Sequence, residues 1–588
     1  MLKSIFAISL CFSLLATAKA VANPLDLFVE QCLNFSSTEF IPLPQQWQSE
    51  QLNSTTAAPL LASKNELVNL EDGLLALNNL NDRNNYYRQR IKVVESQQQL
   101  LNCQIHLADE LKQLLASLPN NIDVALQSDK DDNDSQYRLF INILSNLASI
   151  RLTTNEKSQL HGLQASIAHN LRRQYQLNTS AECANSAVTN GTSINKSIAK
   201  YLLNQPRSEC RKQAWQAYQL RAKAANQQAL VLLHQLKLSI ATKHGFDNIV
   251  DNDLHNSPLN IQQLHQFLHS QTNQLSMSPW DLPLQLKALP TVKFSPIESE
   301  KLFQKVQDQL SEFGLRFVKV PLQQASTLNL YQLWHHNRYL GELYFYPHTE
   351  LKTGKKKITT NKIKQSVLGH QFGQYELTAP TIITKFSEYK NMLFAVSEMI
   401  NQLIKSNKFY YLNSPNTATA PLPLGTYWLN EYLINALLSD YVISPRYQLS
   451  RQYKKQQNIV NSKLAVYFYQ LDDAQIQQQP NELFNTLTEA AFSASFIGEH
   501  SYSSDMVYSS QAIANQGVNL YLHLWYQSLA QLLNTDPMLQ GQNQMIFEQV
   551  LINEQQLDIY SLLSNLYHQP MDFDTLLWRL NHADNTPE

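Results

Sequence analysis

Glycine is scarce in this chain, with only 13 glycines in 588 residues. Globular proteins usually contain about 7% glycine. Tight turns between strands rely on glycine because it adopts positive φ values without a steric penalty. A chain with so few of these residues favours long helices over many short strands, so we predict a mainly α fold.

The chain also lacks an excess of charge of either sign, since 46 Lys and Arg residues nearly balance 48 Asp and Glu residues. Binding to nucleic acid or to an anionic lipid surface depends on a positive electrostatic field. The overall charge therefore argues against a nucleic-acid partner.

Long apolar runs are lacking except at the start of the chain. Residues 1–20 combine a basic start at Lys3, the apolar run Ile5–Ala16 and the small-residue pattern Ala18–Ala20. This combination is typical of a secretory signal peptide, and the run is shorter than the ~20 residues that span a bilayer. We expect export across the inner membrane to the periplasm, and no membrane span in the mature protein.

Cysteine is rare as well, and one of the five cysteines lies within the predicted signal peptide. The four that remain are Cys32, Cys103, Cys183 and Cys210. An even number in an exported protein permits two disulfides, with three possible connectivities. We favour sequential pairing, which closes the shorter loops, and free buried thiols are the alternative.

One stretch combines a lack of Gly and Pro with helical spacing of its apolar residues. Residues 211–244 contain neither, and Leu233, Leu236 and Ile240 lie at helical spacing, so one long helix is predicted there. Further helices are predicted near residues 260–275, 297–313, 363–377, 388–406, 425–443, 481–497, 511–533 and 556–580. Runs of β-branched and aromatic residues predict one small sheet, over residues 315–320, 328–334 and 339–346.

Several separated segments resemble, in order, the catalytic half of the thimet oligopeptidase and neurolysin family of zinc metallopeptidases. They are Arg211–Tyr218, Pro279–Asp281, Gly341–Pro347 and Leu576–Leu580. The resemblance covers roughly residues 200 to 585, and it implies a large helical shell with a deep central channel and one small β-sheet. We therefore predict an N-terminal helical domain over 21–200 and a metallopeptidase-like domain over 201–588.

The zinc motif of this family is altered. Leu368–Gln374 stands where the family carries His-Glu-Phe-Gly-His, in which two histidines one helical turn apart bind zinc and the Glu is the general base. His370 matches the first histidine, Gln371 replaces the base and Gln374 replaces the second histidine. Glu398 matches the third ligand, so the resemblance leaves His370 and Glu398 as vestigial ligands. An amide cannot act as a general base.

The oxyanion donors of the family are altered too. In the family they are a histidine and several tyrosines at fixed offsets before a Leu-Trp pair, which Leu524–Trp525 matches here. Counting back from this pair, the donor positions hold Gln511, Gln516, Leu520 and His523. Each lost donor costs about 10²- to 10³-fold in rate. The substitutions together predict an inactive homologue.

Three functions are compatible with these substitutions. The first is an inactive homologue that binds a peptide or a protein partner, with Tyr339–Tyr346 as the sheet edge that pairs with the peptide and with no cofactor. The second is an active zinc peptidase with a rearranged site. Its residues would be His370, Gln374 and Glu398, with Glu376 or Glu388 as the base. The third is a structural protein of the cell envelope.

Overall fold

The structure is a computed structural model, and it describes part of the chain. The described residues are 23–40, 64–116, 134–149, 152–178, 180–183, 191–322, 327–348, 358–405, 407–413, 423–472, 490–492 and 504–582. The fold is mainly α, as predicted. Within these residues, no helix is both long enough and apolar enough to cross a bilayer.

The chain forms two compact units. The first unit comprises the described residues up to Leu144 together with Asn361–Gln365, and the second comprises the described remainder. The domain boundary predicted near residue 200 concerns the extent of the family resemblance. The division into compact units does not test how far the resemblance extends along the chain, so the boundary near residue 200 stays a prediction.

The first unit is helical. Its helices are Pro24–Leu33, Lys64–Arg90, Val94–Ala116 and most of Asp134–Ser149, with a 3₁₀ turn at Ser37–Phe40. Leu74, Leu100 and Phe140 are fully buried in it. The predicted Cys32–Cys103 disulfide is confirmed, and it joins the first of these helices to the third.

The second unit contains most of the helices. Its α-helices are Thr154–Arg172, Ile194–Asn204, Ser208–Leu220, Lys223–Lys243, Ile249–Leu254, Ile261–Ser270, Leu282–Ala288, Ser299–Ser311, Phe386–Leu403, Tyr410–Asn413, Leu424–Leu437, Ser439–Val442, Pro445–Gln470, Gln511–Gln516, Tyr521–Thr535, Asn543–Ile546, Ile559–Tyr567 and Phe573–His582. Short 3₁₀ turns cover Ala181–Cys183, Ser504–Ser509, Gly517–Leu520 and Pro537–Leu539, and Phe547–Ile552 is a π-helix. The predicted Cys183–Cys210 disulfide is confirmed. The helix predicted over 211–244 is interrupted after Leu220 and resumes at Lys223.

Most of a five-stranded sheet lies in the second unit. Its strands are β2 (Leu315–Val320), β3 (Asn329–His335), β4 (Arg338–His348), β5 (Thr359–Lys364) and β6 (Gly373–Pro380). Their order is β2-β3-β4-β6-β5. The pairs β2–β3 and β3–β4 are antiparallel, and the pair β4–β6 is parallel. The three predicted strands are confirmed. A separate pair joins β1 (Ile297–Glu298) to β7 (Ile382–Ile383).

The helix predicted over residues 363–377 is wrong. This segment contains the end of β5, a turn and the first half of β6. Gly369 adopts a φ of +81°, which an α-helix does not permit. Beyond it, Tyr375, Leu377 and Ala379 alternate along β6 and are all buried, which is the period-two pattern of a strand.

The position of β4 corrects a second expectation, that Tyr339–Tyr346 offers a free sheet edge. These residues belong to β4, which pairs with β3 on one side and with β6 on the other. A strand with two paired neighbours has no free row of backbone donors and acceptors for an added peptide. The edge strands of the sheet are β2 and β5.

Two of the segments that carry the family resemblance meet in the fold. The Arg211 guanidinium is buried, and its Nε donates to Asp281 Oδ1 at 2.9 Å. It also donates to the carbonyl oxygens of Gln205 and Pro206, each at 2.7 Å. This network fixes the start of the Ser208–Leu220 helix against the turn that precedes the Leu282–Ala288 helix.

Replacing Asp281 with Asn is expected to lower the free energy of unfolding by about 2 to 3 kcal/mol, because a buried guanidinium then loses its counter-charge. Urea denaturation followed by circular dichroism measures the change. Asp308→Asn is the matched control, since Asp308 is exposed, and its effect should stay within about 0.5 kcal/mol. Equal effects of the two substitutions would show that the Asp281 ion pair contributes nothing.

Candidate functional site

The predicted zinc-motif residues do not share a helix. His370 is exposed in the turn before β6, Gln371 donates its backbone N–H to Val367 within that turn at 2.9 Å, and Gln374 lies on β6. Side chains four residues apart project from one face in a helix and not across a turn and a strand. In the part of the chain that the structure describes, no group of three or more His, Cys, Asp or Glu side chains is placed to hold a metal ion. The vestigial-ligand roles of His370 and Glu398 stay predictions.

Gln374 interacts with a carboxylate of the neighbouring strand. Its Nε2 donates to Glu342 Oε2 at 2.9 Å, and the Tyr344 hydroxyl donates to the same oxygen at 2.5 Å. Glu342 and Gln374 are register partners on β4 and β6. Burial, together with the Glu342 carboxylate, raises the pKa of Tyr339 to about 12. Gln374 therefore helps to satisfy Glu342 on the sheet surface.

Glu398 lies on the Phe386–Leu403 helix, on the same face as Phe394 and Lys390 one and two turns earlier. Thr360 Oγ1 donates to Glu398 Oε2 at 3.0 Å. Burial raises the pKa of the Glu398 carboxyl, and the hydrogen bond from Thr360 partly opposes this effect. The helix thus presents one carboxylate in a row with an aromatic ring and an ammonium group.

His523 forms a hydrogen-bonded pair with Tyr427, whose hydroxyl lies 2.8 Å from His523 Nδ1. Burial raises the pKa of Tyr427, with smaller effects from Tyr526 and Glu398. Burial and the nearby Lys454 lower the pKa of His523. A neutral phenol and a neutral imidazole are therefore favoured, and the tautomer of His523 decides which of the two groups donates.

Two further predicted donor positions, Leu520 and Gln516, do not take part in this hydrogen-bonded pair. Leu520 ends the Gly517–Leu520 turn and packs against the core as an apolar side chain. Gln516 ends the preceding short helix, Gln511–Gln516. Among these three predicted donor residues, His523 is the one that contacts Tyr427.

Tyr427 and His523 open onto a pocket of about 650 Å³ in the second unit. Four helices form most of its wall, namely Phe386–Leu403, Leu424–Leu437, Pro445–Gln470 and Tyr521–Thr535. Pockets of 300 to 1,000 Å³ are typical of small-ligand sites. We call this cavity the four-helix pocket.

The charges that line the four-helix pocket are mostly positive. Its basic side chains are Lys390, Arg446, Arg451, Lys454 and Lys455, and its acidic side chain is Glu431. Glu431 is paired with Arg451, with an Oε1 to nitrogen distance of 2.7 Å. This local excess of positive charge contrasts with the near-neutral chain as a whole.

Sequence reasoning missed most of the pocket. Four of its basic residues lie in a run of ten, Arg446 to Lys455, on the Pro445–Gln470 helix, which was not predicted. The spacing of Tyr447, Arg451 and Lys454 places them on one helical face, and that periodicity was present in the sequence. Nothing local to Tyr427 indicates its pairing with His523, because 96 positions separate them.

The fold is similar to that of two solved peptidase structures. This follows from solved structures alone, since no protein-family profile and no curated protein matches the chain. A provisionally assigned peptidase from Chlamydophila abortus has a TM-score of 0.51 and 10% sequence identity, with 88% of this chain and 90% of that chain covered. PZ peptidase A, solved with an inhibitor, has a TM-score of 0.53 and 10% identity, with 96% of this chain and 97% of that chain covered.

Proposed function

We propose that this protein is an exported, periplasmic homologue of the thimet oligopeptidase and neurolysin type of zinc metallopeptidase that binds peptides, or a peptide segment of a protein partner, without hydrolysing them. The observation that carries the proposal is the composition of the four-helix pocket. It offers aromatic rings, cations and a Tyr427–His523 pair, and Glu431, the carboxylate in its lining, is paired with Arg451.

The donor set does not fit catalytic zinc. Such a site normally has three protein ligands and a water molecule. One turn before Glu398, on the same face of the helix, stands Phe394, which cannot bind a metal ion. The ring of Phe394 instead contacts that of Tyr427, with 6.3 Å between the centroids. The local chemistry suits apolar and polar contacts to a ligand better than activation of water.

The two alternative bases already have structural partners. Glu388 accepts hydrogen bonds from the backbone N–H groups of Thr384 and Lys385 at 2.9 and 3.2 Å, which caps the Phe386–Leu403 helix. Glu376 is buried and accepts a hydrogen bond from Thr378 Oγ1 at 3.0 Å. These contacts favour structural roles for both carboxylates. An active peptidase with a rearranged site therefore has less support than a peptide-binding homologue.

The proposal is tested on the purified mature protein by measuring zinc with mass spectrometry, hydrolysis with internally quenched peptides, and binding of the same peptides by calorimetry. We expect zinc well below one equivalent, no turnover and saturable peptide binding. Stoichiometric zinc with chelator-sensitive turnover would contradict the proposal. Absence of both binding and turnover would favour a structural envelope protein.

The double substitution Gln371→Glu with Gln374→His restores the letters of the zinc motif and serves as a further control. We expect it to restore neither zinc binding nor turnover, because a turn and a strand separate the two side chains. A gain of stoichiometric zinc in this variant would show that the segment can form the motif's helix.

A further inference from the structure

The four-helix pocket has unpaired cations. Among the described residues, Lys390, Arg446 and Lys454 form no ion pair with a carboxylate. Glu431 forms its ion pair with Arg451. Arg451 also donates to Gln531 Oε1 at 3.2 Å. Most of the positive charge in the pocket therefore has no protein counter-charge.

The ammonium group of Lys390 lies near two aromatic rings. Its Nζ lies 5.3 Å from the ring centroid of Phe386 and 5.1 Å from that of Tyr447. Burial lowers the pKa of Lys390, the like charges of Lys454 and Arg451 lower it further, and the Glu431 carboxylate partly opposes these effects. An anion bound beside this ammonium group would offset both the repulsion and the loss of solvation.

Apolar and aromatic side chains complete the wall. Phe386, Phe394 and Tyr447 lie near Lys390, and Ile434 and Val292 contribute aliphatic surface. A ligand that matches this lining has a negatively charged group beside an aromatic or aliphatic side chain. A short acidic peptide has both features.

We infer that the four-helix pocket selects acidic peptides, with a ligand carboxylate placed between Lys390 and Lys454 and a neighbouring apolar side chain packed against Phe386 and Phe394. The inference rests on the proposed peptide binding and specifies its ligand class. The carboxylate belongs either to an Asp or Glu side chain or to the peptide C-terminus.

The test uses fluorescence anisotropy with labelled hexapeptides and the full mature protein. One peptide contains Glu next to Phe, a second has Gln in place of Glu, and each is made with a free and with an amidated C-terminus. We expect the Glu peptide to bind about tenfold more tightly than the Gln peptide, as for one charge-assisted contact. A preference that follows only the free C-terminus assigns the carboxylate to the chain end.

Substitutions of the pocket lysines test where the ligand carboxylate binds. Lys454→Glu should abolish or reverse the preference for Glu, and it changes an exposed side chain. Lys390→Gln should reduce the preference as well, and thermal melting checks its fold. Lys305→Gln, an exposed lysine on the Ser299–Ser311 helix, is the matched control and should leave the preference unchanged.

The outcomes separate this inference from the proposed function. If the Glu and Gln peptides bind equally and amidation of the C-terminus does not weaken binding, or if Lys454→Glu keeps the preference, the acidic selectivity is wrong while peptide binding stands. If no peptide binds at all, the proposed function fails and the inference fails with it.

Discussion

Replacing Cys32 and Cys103 together with alanine is expected to lower the free energy of unfolding of the first unit by about 4 kcal/mol. The disulfide joins residues 71 positions apart, and both cysteines are completely buried. Such a cross-link restricts the unfolded chain, and the effect grows slowly with the length of the closed loop. Alanine is the appropriate replacement because serine would bury an additional hydroxyl group.

The second disulfide is the matched comparison, since Cys183 and Cys210 are only 27 positions apart. Its removal by the same substitutions should cost about 3.5 kcal/mol, slightly less because the loop is shorter. Urea denaturation followed by far-ultraviolet circular dichroism, with and without a reducing agent, measures both. Unchanged stability of the Cys32→Ala, Cys103→Ala protein would mean that the bond constrains nothing in the unfolded chain.

The parts of the fold that could be predicted from the sequence are those with a local physical cause. The β2, β3 and β4 strands were predicted from their β-branched and aromatic residues, and their observed bounds agree closely. The disulfide pairing followed from loop length. The scarcity of glycine correctly indicated a mainly helical chain.

The segment around His370 shows where this reasoning fails. A helix was predicted over residues 363–377, and the zinc motif requires one there, although Gly369 and Gly373 interrupt the segment and the following apolar residues alternate with a period of two. Motif resemblance is weak evidence when the local pattern contradicts the element that the motif requires. The strand assignment was available from periodicity alone.

The candidate site was less predictable than the fold, because it is assembled from distant segments. Lys390, Glu431, Lys454 and His523 come from four different helices, and only tertiary packing brings them to one cavity. In the sequence nothing local links these four positions to one another. The Pro445–Gln470 helix was missed since it is polar over much of its surface and shows little amphipathic pattern.

Replacing Gly341 with alanine is expected to lower the free energy of unfolding by about 3 kcal/mol, from steric overlap and backbone strain together. Gly341 pairs with Gly373 where β4 and β6 run side by side. An added Cβ would overlap the Gly373 carbonyl oxygen and lie 2.9 Å from the Gly373 nitrogen and carbonyl carbon. The residue also has a φ of +152°, which side chains rarely allow. Backbone atoms cannot move aside as a flexible side chain can, so the two strands would have to separate.

Gly162→Ala is the same chemical change, and we expect it to have the opposite effect on the free energy of unfolding. Gly162 lies within the Thr154–Arg172 helix, and a Cβ built there meets nothing within 4 Å. Alanine should therefore stabilise the protein, by up to about 1 kcal/mol, through its higher helix propensity. Urea denaturation of both variants tests the pair, and since both sites belong to the second unit, one unfolding transition reports on them. If Gly341→Ala proved as stable as Gly162→Ala, the close pairing of β4 with β6 would be wrong, and with it the strand that replaces the predicted zinc-motif helix.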